Sequence, residues 1–215
     1  MLRISLISVI FIAVLQVTSC VQYDYKPKVS ETMKSPENLD TITLGAGCFW
    51  CVEAVFEQLK GVYLVESGYS GGHVKNPSYK EVCTGNTGHA EVCQVSYDPE
   101  EITLNEILEV FWTTHDPTTL NRQGADVGTQ YRSVIFYHNE EQRQYAEDVK
   151  NSLTQAKVWE TPIVTQIVPF ENFYKAEDYH QEYYINNTSQ PYCRMVITPK
   201  LEKFKKVFAD KLKEK

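Results

Sequence analysis

The stretch "LGAGCFWCVEAVFEQLKG", residues 44–61, sets Cys48 and Cys51 three positions apart with Phe49 and Trp50 between them. Val52, Val55, Phe56 and Leu59 recur at i, i+3, i+4 and i+7, the spacing of one helical face. Gly61 stands where a helix-terminating glycine belongs. Upstream, "TITL" is a short β-branched run and "GAG" a flexible turn. The stretch therefore reads as strand (41–44), glycine turn and helix (48–60), with Cys48 at the first helical position. Unpaired N–H groups and the positive end of the helix dipole favour a thiolate there, and the thiolate is the nucleophile. The competing reading is a pair of buried structural cysteines.

Strands and helices alternate through the rest of the chain. Strands are expected at 62–69, 89–97, 131–138 and 161–170, and helices near 77–83, 103–115 and 139–156. Thr103 and Glu106 form a capping box, and Asn139 is an N-cap. The final run, 199–215, reads as an amphipathic helix with Leu201, Phe204, Phe208 and Leu212 on one side and a solvated lysine face on the other. With no Gly-rich dinucleotide fingerprint, the pattern predicts a two-layer α+β domain. At 215 residues the chain has room for a sizeable core, and its net charge of −7 argues against a nucleic-acid partner.

The first residues read as a processing segment. Arg3 precedes an apolar run from Ile4 to Val17, too short for a comfortable membrane span, and "VTSC" resembles a bacterial lipoprotein cleavage box ending at Cys20. The expected organisation is a signal peptide (1–19), a lipid-anchored tether (20–40) that is polar and proline-containing, and a catalytic domain (41–215). This places the protein at the bacterial cell envelope, touching membrane only through its anchor. A conventional signal peptide and a secreted periplasmic protein are the alternative.

Cys48, Cys51, Cys83, Cys93 and Cys193 then remain, an odd number unlike a disulfide scaffold. A lone Cys-x-x-Cys without a second pair is also a poor zinc site. In "GHAEVC" the strand period puts Glu91 on the face of Cys93 and Val95, where a desolvated carboxyl can hold its proton to neutral pH and act as an acid; the competing reading is a surface glutamate on an edge strand. Tyr69 and Tyr131 lie at strand ends beside turns, where binding residues collect. His89 and His180 read as structural.

"GCFWCVEAVF", "GYSGG", "YKEVCTGNTGHAEV", "YDP", "FW..HDPT", "ADVGTQYRS" and "AEDYHQ.Y" together resemble the A-type peptide methionine sulfoxide reductases, from about Thr41 to Phe208. The resemblance implies a ferredoxin-like core with an irregular C-terminal extension, and thiol-based reduction of methionine S-sulfoxide, free or in oxidised proteins that it repairs. It implies no metal or organic cofactor. In its terms Cys48 is the nucleophile and Phe49 and Trp50 wall the pocket for the substrate's methyl group. Glu91 then protonates the sulfoxide oxygen, Tyr69 and Tyr131 hold that oxygen, and Asp126 supports the site through hydrogen bonds. Cys48 is left as a sulfenic acid, for which a second thiol must be found.

Here the chain departs from the commoner "GCFWG" by carrying Cys51, and it lacks the Gly- and Cys-bearing tail of many relatives. Cys51 is the expected resolving cysteine and Cys193 the alternative, with an external thiol or a thioredoxin-like donor reducing the disulfide. A thioredoxin-like oxidoreductase would also use Cys-x-x-Cys but would not call for "GHAEV" and "GTQYRS". A lipid-anchored binding protein would not react with sulfoxides at all. The anchor is checked by mass spectrometry of the mature N-terminus, which should be a lipidated Cys20; an unmodified terminus downstream of it refutes the assignment.

Overall fold

The computed structural model describes residues 38–214. The expected signal peptide, Cys20 and nearly all of the tether lie outside the described residues.

The chain runs through β1 (Asp40–Ala46), α1 (Phe49–Phe56), β2 (Val62–Ser70), α2 (Tyr79–Cys83), β3 (Ala90–Tyr97) and α3 (Leu104–Thr114). The short pair β4 (Arg122–Gln123) and β5 (Asp126–Val127) follows, then β6 (Ser133–Tyr137), α4 (Glu140–Gln155), β7 (Gln166–Pro169) and β8 (Tyr174–Lys175). Last come α5 (Tyr183–Asn186), a π-turn at Cys193–Ile197 and α6 (Thr198–Val207). The main sheet has the order β7-β6-β1-β3-β2-β8, antiparallel except for the β6–β7 pair. Its inner part, β1-α1-β2-β3-α3-β6, has the strand order of a ferredoxin-like fold, as expected.

Strand alternation on β3 assigns the two faces. Cys93, Val95 and Tyr97 join the main core with α1 and α3, and Ala90 and Val92 turn to a smaller cluster with Val134 and Phe136. Thr103 and Glu106 make both halves of their capping box, and Asn139 accepts from the Gln142 N–H. Leu201, Phe204 and Phe208 are buried as the C-terminal periodicity demands, although α6 itself ends at Val207.

The opening stretch differs from its sequence reading in three ways. β1 continues to Ala46, so only Gly47, at φ +93°, makes the turn. Gly45 instead lies inside the sheet, where a Cβ would stand 2.7 Å from Val134 Cγ1 and 3.1 Å from the Glu91 carbonyl oxygen. Cys48 is the N-cap of α1 rather than its first turn, and the helix closes at Phe56, well before Gly61. It stops there because the C-terminus pairs with the next residues: the Lys60 N–H donates to the Lys211 carbonyl at 2.9 Å, and the Lys213 N–H to that of Gln58 at 2.9 Å.

Helix α1 is also buried nearly all round, since the segment after β8 covers its outer side. That covering hangs on Glu53, the only charged residue in α1. Its Oε1 accepts from the Ser67 hydroxyl at 3.1 Å and the Glu182 N–H at 3.0 Å, and its Oε2 accepts from the Tyr183 N–H at 3.0 Å. Glu182 adopts a left-handed φ of 49° to deliver these two amides. Removing the acceptor strands two half-buried N–H groups, so Glu53→Ala should cost about 3 kcal/mol in denaturant unfolding. A loss below about 0.5 kcal/mol would show that the anchor is dispensable.

Candidate active site

The two strand-facing residues of β3 grip the start of α1. The Phe49 N–H donates to Glu91 Oε2 at 3.1 Å, and the Cys93 thiol donates to the Phe49 carbonyl at 3.4 Å. Glu91 is 1% exposed, and its second oxygen, Oε1, is buried without a partner in the protein. Burial, only partly offset by the Phe49 N–H and reinforced by the charges of Asp126 and Cys51, raises its pKa to about 8. At neutral pH the carboxyl is therefore mostly protonated. Because Oε2 already accepts a hydrogen bond, the proton belongs on the partnerless Oε1.

The N-cap Cys48 and Cys51 in the first turn of α1 come together, and the Cys51 N–H donates to the Cys48 carbonyl at 3.1 Å. The helix-dipole argument makes Cys48 the acidic thiol, and here the structure differs. Burial first, then the hydrogen bond to Cys51 and the charge of Glu91, hold the Cys48 thiol well above the ordinary cysteine range. The Phe49 N–H that would favour a thiolate is spent on Glu91. Cys51 moves the other way, to about 7, chiefly because Cys48 hydrogen-bonds to its sulfur, with help from the charge of Lys200.

Aromatic side chains build the rest of the site. Phe49 is wholly buried, with the rings of His180, Tyr69 and Tyr79 at centroid distances of 5.1, 5.9 and 6.4 Å. Trp50 is half-buried and stacks on Tyr183 at 3.7 Å and 7°. Its indole N–H donates to His180 Nδ1 at 3.1 Å, so His180 is neutral there, and burial lowers its pKa accordingly. Tyr69, Tyr79 and Tyr131 all feel the charge of Glu91, which adds to burial in raising their hydroxyls above the usual phenol range. The Tyr69 proton is committed to Glu177 Oε2 at 3.0 Å.

Asp126 enters through a residue that the sequence reading passed over. It accepts from the Tyr192 hydroxyl at 2.7 Å, and that hydroxyl lies 3.8 Å from Cys51 Sγ. Cys48, Cys51, Phe49, Trp50, Glu91, Tyr69, Tyr131 and Asp126 thus all collect at the start of α1. The sequence reading missed Tyr79, Tyr192 and the ring contact of His180. Only Tyr192 carried a local hint, as the neighbour of Cys193. Cys193 itself is fully buried in the π-turn, and burial raises its thiol pKa. Among the described residues no group of three or more His, Cys, Asp or Glu side chains is arranged to hold a metal ion.

The profile of the family described as peptide methionine sulfoxide reductase matches residues 40–212. A peptide methionine sulfoxide reductase MsrA of Trichodesmium erythraeum is 56% identical over 174 residues, covering 81% of this chain and 98% of the relative. The protein of that name from Saccharolobus solfataricus is 57% identical over 175 residues, with the same 81% and 98% coverage. Among solved structures, reduced Mxr1 of Saccharomyces cerevisiae superposes with a TM-score of 0.67 at 39% identity, covering 77% of this chain and 95% of that one. Methionine sulfoxide reductase A of Corynebacterium diphtheriae gives 0.64 at 37% identity, with coverages of 71% and 77%. A cysteine pair at a helix start, a protonated carboxyl beside it and an aromatic wall are thus held on a shared fold, and the chain belongs to the A-type peptide methionine sulfoxide reductase family.

Proposed function

We propose that Cys48 attacks the sulfur of a methionine S-sulfoxide while Glu91 protonates its oxygen, and that Cys51 then resolves the oxidised Cys48. The observation that carries this reading is the partnerless Oε1 of Glu91, a buried acid next to the cysteine pair. A sulfoxide oxygen supplies the acceptor that this O–H lacks, and its protonation makes the sulfur electrophilic. Phe49 and Trp50 offer apolar walls to the methyl group, with Trp50 held in orientation by His180 and Tyr183. Tyr131 steadies the oxygen, and Tyr69 joins it by leaving Glu177.

Attack makes the Cys48 S–H acidic, and its proton passes to the hydrogen-bonded Cys51 thiolate, the form that the lowered pKa of Cys51 makes available at neutral pH. The Cys48 sulfur bonds to the substrate sulfur, the protonated oxygen then moves to Cys48 as that S–S bond and the original S–O bond break, and methionine leaves with a lone pair restored to its sulfur, with Cys48 a sulfenic acid. Condensation with Cys51 releases water and leaves a Cys48–Cys51 disulfide. An external thiol or a thioredoxin-type donor reduces it, and the Cys20 anchor sets this repair chemistry at the cell envelope. Turnover of the separated sulfoxide epimers with dithiothreitol tests the reading: the S epimer should be consumed and the R epimer left.

Two outcomes bear on the residues. Single-turnover methionine release should fall as pH rises through about 8, because Glu91 is an acid whose raised pKa keeps it protonated only below that point. Glu91→Gln should lower the rate by ~100- to 10,000-fold and abolish that limb, as rapid mixing would record. Cys48→Ser should form no methionine at all. Cys51→Ser should release one methionine per enzyme and then stall as a sulfenic acid that dimedone traps. A Cys48–Cys193 bridge in peptide maps would instead assign resolution to Cys193.

A further inference from the structure

We propose that Tyr192 is a catalytic residue of the resolving step, aligning Cys51 and carrying its thiol proton to Asp126. The inference rests on the reading of Cys51 as the resolving thiol. A phenol has one proton, and Tyr192 directs it to Asp126 Oδ2 at 2.7 Å. With that proton on Asp126, its oxygen presents lone pairs to the Cys51 sulfur at 3.8 Å, and a protonated Cys51 can donate to it. The ring is fixed edge-on to Trp50, at 5.8 Å and 75°, and the backbone enters the π-turn pinned by buried Cys193 and Ile197.

The need for such a path follows from the first half-reaction, which leaves Cys51 holding the proton taken from Cys48. Cys51 must lose that proton before it can attack. As it passes to the Tyr192 oxygen, the phenolic proton moves on to Asp126. Burial and the neighbouring sulfurs keep Tyr192 from ionising, so the phenol transmits a proton without storing a charge. The Cys51 thiolate then forms the S–S bond to Cys48 while the sulfenic S–O bond breaks. Cys51 is oxidised and Cys48 reduced. The oxygen leaves as water with a proton from Glu91, which solvent has recharged, and Asp126 returns its proton to solvent. The charged and titratable groups around Cys51 are Cys48, Glu91, Asp126, Tyr192, Cys193 and Lys200.

The test uses reduced protein mixed with one equivalent of methionine S-sulfoxide and quenched at intervals for methionine, dimedone adduct and the Cys48–Cys51 peptide. Tyr192→Phe should still release one methionine per enzyme but close the disulfide about 100-fold more slowly, with sulfenic acid accumulating. The pH limb of closure, near about 7 in the unaltered protein, should move upward, because once the proton has passed along the relay the phenol donates to the Cys51 thiolate and stabilises it. Asp126→Asn cuts the same path at its far end, should give the same accumulation, and decides the matter if Tyr192→Phe does not fold. Closure at the unaltered rate in both variants, with Cys51→Ser still stalled, overturns the relay. Slower closure with an unmoved limb overturns it too, since lost packing accounts for that. Normal closure in Cys51→Ser refutes instead the assignment of Cys51.

Discussion

The backbone of one residue, Phe49, ties the sheet to the chemistry. Phe49 gives its N–H to Glu91 and receives the Cys93 thiol on its carbonyl, so residues two apart on β3 hold the first turn of α1 from both sides. The cysteines that flank Phe49 inherit their positions from this grip. It also demands close approach of β1, β3 and β6, which is why Gly45 has no room for a side chain beside Val134 and the backbone of Glu91. A helix N-terminus usually donates its free N–H groups to solvent or to a capping oxygen. Here one of them is given to the buried acid.

Burial then acts on three groups with different results. It raises Glu91 into the range where a carboxylic acid persists at neutral pH, and it holds Cys48 as a thiol. Cys51 is nearly as buried, yet it is made acidic because Cys48 donates to it and Lys200 stands near. The asymmetry in the pair thus follows the hydrogen bond between the two thiols and the nearness of Lys200 to Cys51.

Local patterns in the chain carried a large part of this. The Thr103–Glu106 and Asn139 caps, the alternation that faces Glu91 with Cys93, and the Leu201 and Phe204 part of the last helix's apolar stripe depend on neighbours within a few residues, and each appears where its spacing puts it, whereas Leu212 lies beyond the helix in a bridge with Leu59. What spacing could not convey are the contacts made by the covering segment. The Trp50–His180 bond spans 130 residues and the Cys51–Tyr192 contact 141, and no local periodicity encodes either. Glu53 offered a signal in being the only charge within an apolar helix, but its partners, the amides of Glu182 and Tyr183, are backbone groups that no residue type announces. The early end of α1 has the same origin, since the strand-like contact of Leu59 with Leu212 comes from the far end of the chain.

The covering segment also orders events in time. The four inner strands, the nucleophile and the acid are all encoded before residue 138, whereas His180, Tyr192 and Lys200 arrive in the last forty or so positions. Contacts of such sequence separation close slowly, because loop entropy is lost before they reward it. A nascent chain that has emerged only as far as β6 can own the cysteine pair without the lysine that sharpens Cys51 or the phenol beside it. The full acidity of Cys51 therefore belongs to the finished chain.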